Sequence, residues 1–297
     1  MSPRKARTLR LGLPKGSLQD TTVKLFTQAG FDVRIAPRSY YPDLGDPELD
    51  CTLIRAQEMA RYVDQGVLDA GITGLDWTME NRAKVKELAD LRAPWPNYGP
   101  VRWIVAVKNG SPIKKPKDLR GKRIATEVVG LTRRYLKQHG VTAEIEFSWG
   151  ATEVKPPLLA DAIVDVTETG SSLRANDLRV IDTVLESTPR FIASRAAYAD
   201  DWKRLKMERL LLMLKGAITA IGRVGLMLNV SEAHLPEILK ILPALTNPTV
   251  AHLANGDEAW VAINTIVEER LVTDLVPKLS EAGARGIVEY PLSKIIE

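Results

Sequence analysis

Between Leu9 and Ser194, short apolar runs closed by turn residues alternate with stretches whose apolar positions recur at helical spacing, and this alternation is the tightest constraint on the fold. Residues 9–13 form an apolar strand, a Pro-Lys-Gly-Ser turn follows, and a helical pattern over 18–29 stops at Gly30. Strand and helix repeat at 51–54 with 56–65 and at 70–73 with 75–81. Strands joined through helices predict a largely parallel sheet covered on its faces.

An apolar strand at 103–107 is followed by the polar stretch Lys108-Asn109-Gly110-Ser111-Pro112, whose turn residues suit a crossing between lobes, and a second α/β set begins there. It continues through strands 123–125, 144–147 and 162–166, helices 132–139 and 158–160, and a helix starting near Ser172. A short strand at 191–194 and a long amphipathic helix at 201–214 then return to the first lobe. The implied body is α/β and two-lobed: lobe I is 1–107 with a return segment of about 190–222, lobe II is 108–189, and a cleft lies between them. Past Gly222 the order becomes βαββαβ: strand 225–229, helix 232–242, strands 250–254 and 260–267, helix 271–282, strand 286–289. That is the ferredoxin-like arrangement, which predicts a separate domain over 223–297. A chain of 297 residues has room for these units, and no internal repeat or low-complexity segment interrupts them.

Composition narrows the function. With 45% hydrophobic and 26% charged residues the chain is unlike a disordered one. The net charge of +4 suits an anionic partner, although Arg4, Lys5, Arg7 and Arg10 place much of the excess at the N-terminus, where it reads as a solvated tail. No basic stripe interleaved with aromatics speaks for nucleic acid. The single Cys51 excludes an intrachain disulfide and points to a reducing compartment. Neither a leader-like run nor a bilayer-length apolar segment is present, so a cytoplasmic placement without membrane is expected. His139, His234 and His252 are scattered and lack metal-ligand spacing; no serine-hydrolase elbow, Walker loop or dinucleotide fingerprint occurs. Trp103 and Trp260 sit in apolar runs and read as core.

Three strand ends carry the chemistry. In the segment from Ala162 through Asp165, Thr167, Glu168, Thr169, Gly170, Ser171, Ser172 and Leu173, a strand ends, two acids flank a Thr-Gly-Ser-Ser turn and a helix begins. Its N–H groups and hydroxyls suit a phosphate, while Asp165 and Glu168 suit sugar hydroxyls or a divalent cation; an ordinary helix start is the alternative. In Leu13-Pro14-Lys15-Gly16-Ser17, Lys15 supplies a point charge and Gly16 a close backbone approach, suited to pyrophosphate, with a surface turn as the alternative. Around Thr73, Gly71 and Gly74 admit either a ligand or a tightly packed helix. Arg55, after strand 51–54, adds a cation to the same rim or is simply solvated. Ligands of open α/β sheets bind at such strand ends.

These motifs, with Asp69-Ala70-Gly71-Ile72-Thr73-Gly74-Leu75-Asp76-Trp77 and Leu131-Thr132-Arg133-Arg134-Tyr135, resemble in order and spacing those of the long-form ATP phosphoribosyltransferases. The tail, with Asn247-Pro248-Thr249-Val250, Leu253-Ala254 and Ala282-Gly283-Ala284, resembles that family's regulatory domain. The resemblance implies a two-lobed catalytic body like type II periplasmic binding proteins plus an ACT-like, ferredoxin-like domain. It implies transfer of the 5-phosphoribosyl group of phosphoribosyl pyrophosphate (PRPP) to ring nitrogen 1 of ATP, with Mg2+ held mainly on the pyrophosphate. By position, Thr169, Gly170, Ser171, Ser172 and Leu173 would hold the 5′-phosphate, Asp165 and Glu168 the ribose, and Lys15 and Gly16 the pyrophosphate. Lys15 and Asp165 would be catalytic. Leu13, Arg55, Gly71, Thr73 and Gly74 would border ATP. Family members vary at Ser17, Glu127, Ser171 and Ser172, so these side chains are assigned no indispensable role. The regulatory tail implies feedback by histidine near Asn247, Pro248, Thr249, Leu253, Ala282 and Ala284, AMP as a further inhibitor, and a homo-oligomer shifting from dimer to hexamer. The alternative is a binding module without catalysis.

Overall fold

Leu9, Leu11 and Leu13 on one face of a strand and Gly12 on the other are all buried, as a sheet covered on both faces requires. They lie on β1 (Leu9–Lys15), which is followed by α1 (Gln19–Gln28), β2 (Leu49–Arg55), α2 (Ala56–Asp64), β3 (Ala70–Gly74), α3 (Leu75–Glu80) and β4 (Lys86–Asp90). β1 runs parallel to both β2 and β3. Gly12 and Gly71 are register partners on β1 and β3, and a Cβ on either would strike the Met59 sulfur of α2. Two missing side chains thus let α2 seat directly on the sheet. The computed structural model describes residues 7–95, 97–243, 247–254 and 259–296; Arg4 and Lys5 of the basic tail lie outside them.

Lobe II begins before the expected residue 108, because β5 (Val101–Lys108) pairs within its sheet; there follow β6 (Arg123–Thr126), α4 (Val129–Gln138), β7 (Glu144–Phe147), β8 (Ala162–Thr167), α5 (Ser171–Ala175) and β9 (Leu178–Ser187). Its sheet runs β7-β6-β8-β5-β9, parallel across β6, β7 and β8 and antiparallel on both sides of β5. Trp103, Val105 and Val107 of β5 pack with Leu131, Tyr135 and Leu136 of α4. The helix expected at 158–160 is absent. A 3-10 turn at Thr152–Val154 and the Pro156–Pro157 pair occupy the region, and Leu158, 90% exposed, has no core face to bury.

The chain returns to lobe I through β10 (Pro189–Ala193), antiparallel to β3 and β4, which completes the order β2-β1-β3-β10-β4. The Ser194 hydroxyl then caps α6 (Arg195–Ala199) by accepting from the Ala197 N–H at 3.0 Å. α7 (Asp201–Ala220) follows. The chain divides into two compact units, the first holding both lobes up to Leu211 except residues 28–30, the second holding that stretch and residues 212 onward.

The second unit contains β11 (Arg223–Ser231), α8 (Leu235–Ile241), β12 (Thr249–His252), β13 (Trp260–Glu268), α9 (Val272–Glu281) and β14 (Arg285–Pro291). Its antiparallel order β12-β13-β11-β14 is the ferredoxin-like sheet. Alternate residues Val224, Leu226, Leu228 and Val230 meet Ile238 of α8 and Leu275 and Leu279 of α9. On the other face, Tyr290 lies across Gly225, its register partner, and donates its hydroxyl to Asn264 at 2.9 Å.

One ion network ties the first unit together. Asp69, 2% exposed, accepts from Arg10 at 2.7 Å and from Lys203 of α7 at 2.8 Å. Burial works to raise its carboxyl, but these two partners outweigh it and hold the group below the usual carboxylate range. Because the folded pKa is depressed, the stabilisation is present above the unfolded value of about 3.9 and is lost as pH falls through the folded one. Asp69→Ala, which removes the buried acceptor of two partly solvated cations, is expected to cost about 2 kcal/mol at neutral pH. In urea melts that deficit should shrink as the pH falls below about 3.9.

Candidate active site

The C-terminal ends of β1, β2 and β3 face the ends of β6 and β8 across a cavity of about 350 Å³ inside the first unit. Lobe I contributes Lys15, Gly16, Arg55 and Gly74; lobe II contributes Trp103, Glu127, Val166, Thr167 and Glu168; the crossover Ser187, Thr188 and Pro189 also lines it. Parallel register puts Lys15 directly beside Arg55, so two cations stand together on adjacent strand ends. Gly16 takes a positive φ of 102° to turn the chain away, a conformation that favours glycine. The Lys15 ammonium lies 3.7 Å from the Tyr40 ring centroid, and its hydrogen bond and charge lower the Tyr40 phenol below its usual range.

Opposite them, β8 ends in a tight turn. The Gly170 N–H donates to the Thr167 hydroxyl at 2.9 Å, Gly170 adopts φ 73°, and α5 starts at Ser171. Arg174 donates to the Thr169 carbonyl at 3.1 Å, bracing the turn, while the Thr169, Ser171 and Ser172 side chains stay exposed. Burial pushes the Asp165 carboxyl up to about 7, aided by repulsion from Glu153 and Glu127 and opposed by the Val166 N–H at 2.8 Å. Burial alone raises Glu127.

The structure gathers part of the expected set on the cavity: Lys15, Gly16, Arg55, Gly74 and Glu168. Asp165, Thr169, Gly170, Ser171 and Ser172 flank the lining residues along β8 and its turn without lining the cavity themselves. Leu13 and Thr73 are buried behind it; the Thr73 hydroxyl donates to the Ala56 carbonyl at 2.7 Å, and Gly71 receives Met59. These three residues pack lobe I. Leu173 belongs to the lobe II core with Ile104 and Ile163. In the second unit Asn247, Thr249 and Leu253 are exposed, Pro248 and Ala282 half-buried, and Ala284, 1% exposed, fills the core with Leu279. The Ala284 methyl therefore faces the hydrophobic interior and offers a ligand nothing.

Sequence reasoning missed Gln57, Asp76, Ser187 and Thr188, all on the cavity. Asp76 is buried and accepts from the Trp103 indole at 2.6 Å; burial raises its carboxyl despite that bond. The Thr188 hydroxyl is buried with no partner, an orphan at the cavity wall. Their only signal was an acid next to tryptophan in the Gly-Leu-Asp-Trp run and a Ser-Thr-Pro ahead of the return strand. Trp103 is core, as read, yet also touches the cavity.

No group of three or more His, Cys, Asp or Glu among the described residues is gathered to hold a metal ion. Of the cavity's carboxylates, Asp76 is held by the Trp103 indole, whereas Glu127 and Glu168 are hard oxygen donors of the type Mg2+ accepts. They suit an ion that draws most of its ligands from a bound pyrophosphate and water.

Residues 55–216 match the family model described as ATP phosphoribosyltransferase, and residues 220–294 match the model of its C-terminal domain. An ATP phosphoribosyltransferase of Solibacter usitatus is 56% identical over 288 residues, covering 97% of this chain and 99% of that protein. One from Chlorobium phaeovibrioides is 57% identical over 291 residues, covering 98% of each. Among solved structures, the ATP phosphoribosyl transferase (HisG:HisZ) complex from Thermotoga maritima superposes with a TM-score of 0.60 at 25% identity, over 70% of this chain and 99% of the matched one. With near-complete coverage at this identity and a two-lobed body bearing paired cations at its strand ends, the chain belongs to the ATP phosphoribosyltransferase family, the enzymes of the first step of histidine biosynthesis.

Proposed function

We propose that the cavity binds PRPP and ATP together and transfers the phosphoribosyl group to ring nitrogen 1 of ATP, releasing pyrophosphate. The observation that carries this reading is the division of charge across the cavity, with Lys15 and Arg55 on one side and the acids and phosphate-sized turn of β8 on the other. The turn over Thr169, Gly170, Ser171 and Ser172 cups the 5′-phosphate; Asp165 and Glu168 accept from ribose hydroxyls; Lys15 and the Gly16 N–H hold the pyrophosphate.

Ring nitrogen 1 of adenine is unprotonated at neutral pH and carries its own lone pair. It attacks the anomeric carbon as the bond from that carbon to the pyrophosphate oxygen breaks, and the leaving group departs with the electron pair. No strong general base is needed, which matches a cavity lined by no histidine. Stabilising the departing charge and aligning two anions are the tasks left, and fixed cations and dipoles perform them. Mg2+, when bound, neutralises charge on the pyrophosphate; Glu127 or Glu168 would add a ligand from the protein.

The second unit supports a regulatory reading. A ferredoxin-like sheet with exposed residues at Asn247, Thr249 and Leu253 is a separate module in which histidine, bound between subunits, biases a dimer–hexamer equilibrium. AMP fits the ATP subsite as a competitor.

Purified enzyme given ATP, PRPP, Mg2+ and a pyrophosphatase should accumulate phosphoribosyl-ATP, followed by its absorbance, and added histidine should suppress it. Absence of product from folded protein would refute the assignment, and product insensitive to histidine would refute the regulatory part. Lys15→Ala is expected to lower kcat by roughly a hundred-fold, as loss of one charge stabiliser at a leaving group does. Ionised Asp165 accepts from the ribose hydroxyls more strongly than the neutral acid does, so kcat/KM for PRPP should climb as pH rises through about 7. Asp165→Asn should abolish that rise; an unchanged profile would remove Asp165 from the ribose site.

A further inference from the structure

The Leu131-to-Tyr135 motif takes no part in the chemistry above, yet it meets lobe I at one place. α3 belongs to lobe I and α4 to lobe II. The Glu80 carboxylate at the end of α3 accepts from the Gly130 N–H at 2.8 Å and the Leu131 N–H at 2.6 Å, two of the first free donors of α4. In return, Arg134 of α4 donates at 2.7 Å to the Met79 carbonyl at the end of α3, adding a second donor to the Arg82 N–H that this carbonyl already accepts at 3.1 Å. Each helix thus caps the other across the lobes. Gly130 is what allows it, since a Cβ there would lie 3.1 Å from a Glu80 carboxylate oxygen and 3.2 Å from the Glu80 carbonyl. Nearer the cavity the seam continues with the Trp103 indole of lobe II donating to Asp76 of α3, and with Trp77 and Trp103 edge to face at 5.8 Å. α3 is itself moored in lobe I, because the Asn81 amide after it donates to the Gln57 carbonyl of α2 at 2.9 Å.

At its inner end this seam reaches the cavity from both lobes. Gly74, Asp76 and Trp77 line it from lobe I, and Glu127, three residues before Gly130, lines it from lobe II. We infer that Glu80 and Arg134 are positioning residues: their reciprocal caps latch α3 to α4 and hold the lobes at the separation where substrates bridging them find both walls in place. The latch touches no reacting atom. Its effect follows from population: a cleft that spends only a fraction of its time at the competent width shows an apparent affinity reduced by that fraction. Substrates that bridge both lobes restore the width once bound, so saturated turnover is spared.

This inference rests on the two-substrate reading of the cavity, and two measurements on the full chain separate them. Glu80→Ala and Arg134→Ala are each expected to raise KM for both PRPP and ATP by roughly ten-fold with kcat changed less than about two-fold, and the double variant to fall well short of the product of the two. Glu80→Gln, which keeps one of the two acceptor oxygens, should recover part of the loss. X-ray scattering without substrate should show a larger radius of gyration for Glu80→Ala than for wild type, a readout independent of turnover. Unchanged KM with only a lowered Tm, or a fall in kcat at constant KM, would overturn the latch, as would identical scattering profiles. Should Glu80→Ala not fold, Gly130→Ala crowds the same bonds without removing a charge and is expected to shift KM in the same direction; no shift would equally overturn it.

Discussion

The parallel pairing of β1 with β2 is the constraint from which the rest of the catalytic unit follows. Parallel strands end on the same edge, so Lys15 and Arg55, register partners, present two positive charges side by side. Parallel strands also need helical crossovers and burial on both faces, which is why Leu9, Leu11 and Leu13 are all apolar and why Gly12 and Gly71 must lack side chains where Met59 sits. A shared edge on which cations can stand side by side is therefore a consequence of topology.

Charge is divided across the cavity, and the division limits the chemistry available. Cations lie at the ends of β1 and β2, while Glu127, Asp165 and Glu168 lie on lobe II. Asp165 and Glu127 are both driven upward by burial, which disfavours their charged forms. The same two lobes are joined where the charged Glu80 and Arg134 side chains meet backbone groups of α4 and α3, so charge-assisted, directional hydrogen bonds hold their separation.

How much of this was legible in the sequence depended on whether a segment carries its own signal. Central strands such as β1, β3 and β5 are runs of buried apolar residues and could be read directly. β4, with Lys86, Glu87 and Asp90 along an edge, and the half-buried ten-residue β9 could not, since their stability comes from the neighbours they pair with. The apparent helix at 158–160 failed because its leucines have nothing to pack against. Site residues at strand ends announced themselves through Gly, Lys and Thr turns. Asp76, Ser187 and Thr188 did not, because their place on the cavity arises only when the crossover from β9 to β10 closes against α3. The Gly71 turn was open to either ligand or packing, and Met59 gives it a packing partner that no local pattern encodes.

The most direct measurement is a crystal structure of the enzyme soaked with PRPP and Mg2+. Density is expected to span the cavity, with the 5′-phosphate on the turn over Thr169, Gly170, Ser171 and Ser172 and the pyrophosphate against Lys15 and Gly16. PRPP bound wholly within one lobe, or in the reverse orientation with pyrophosphate on the β8 turn, would contradict the assignment of the two walls.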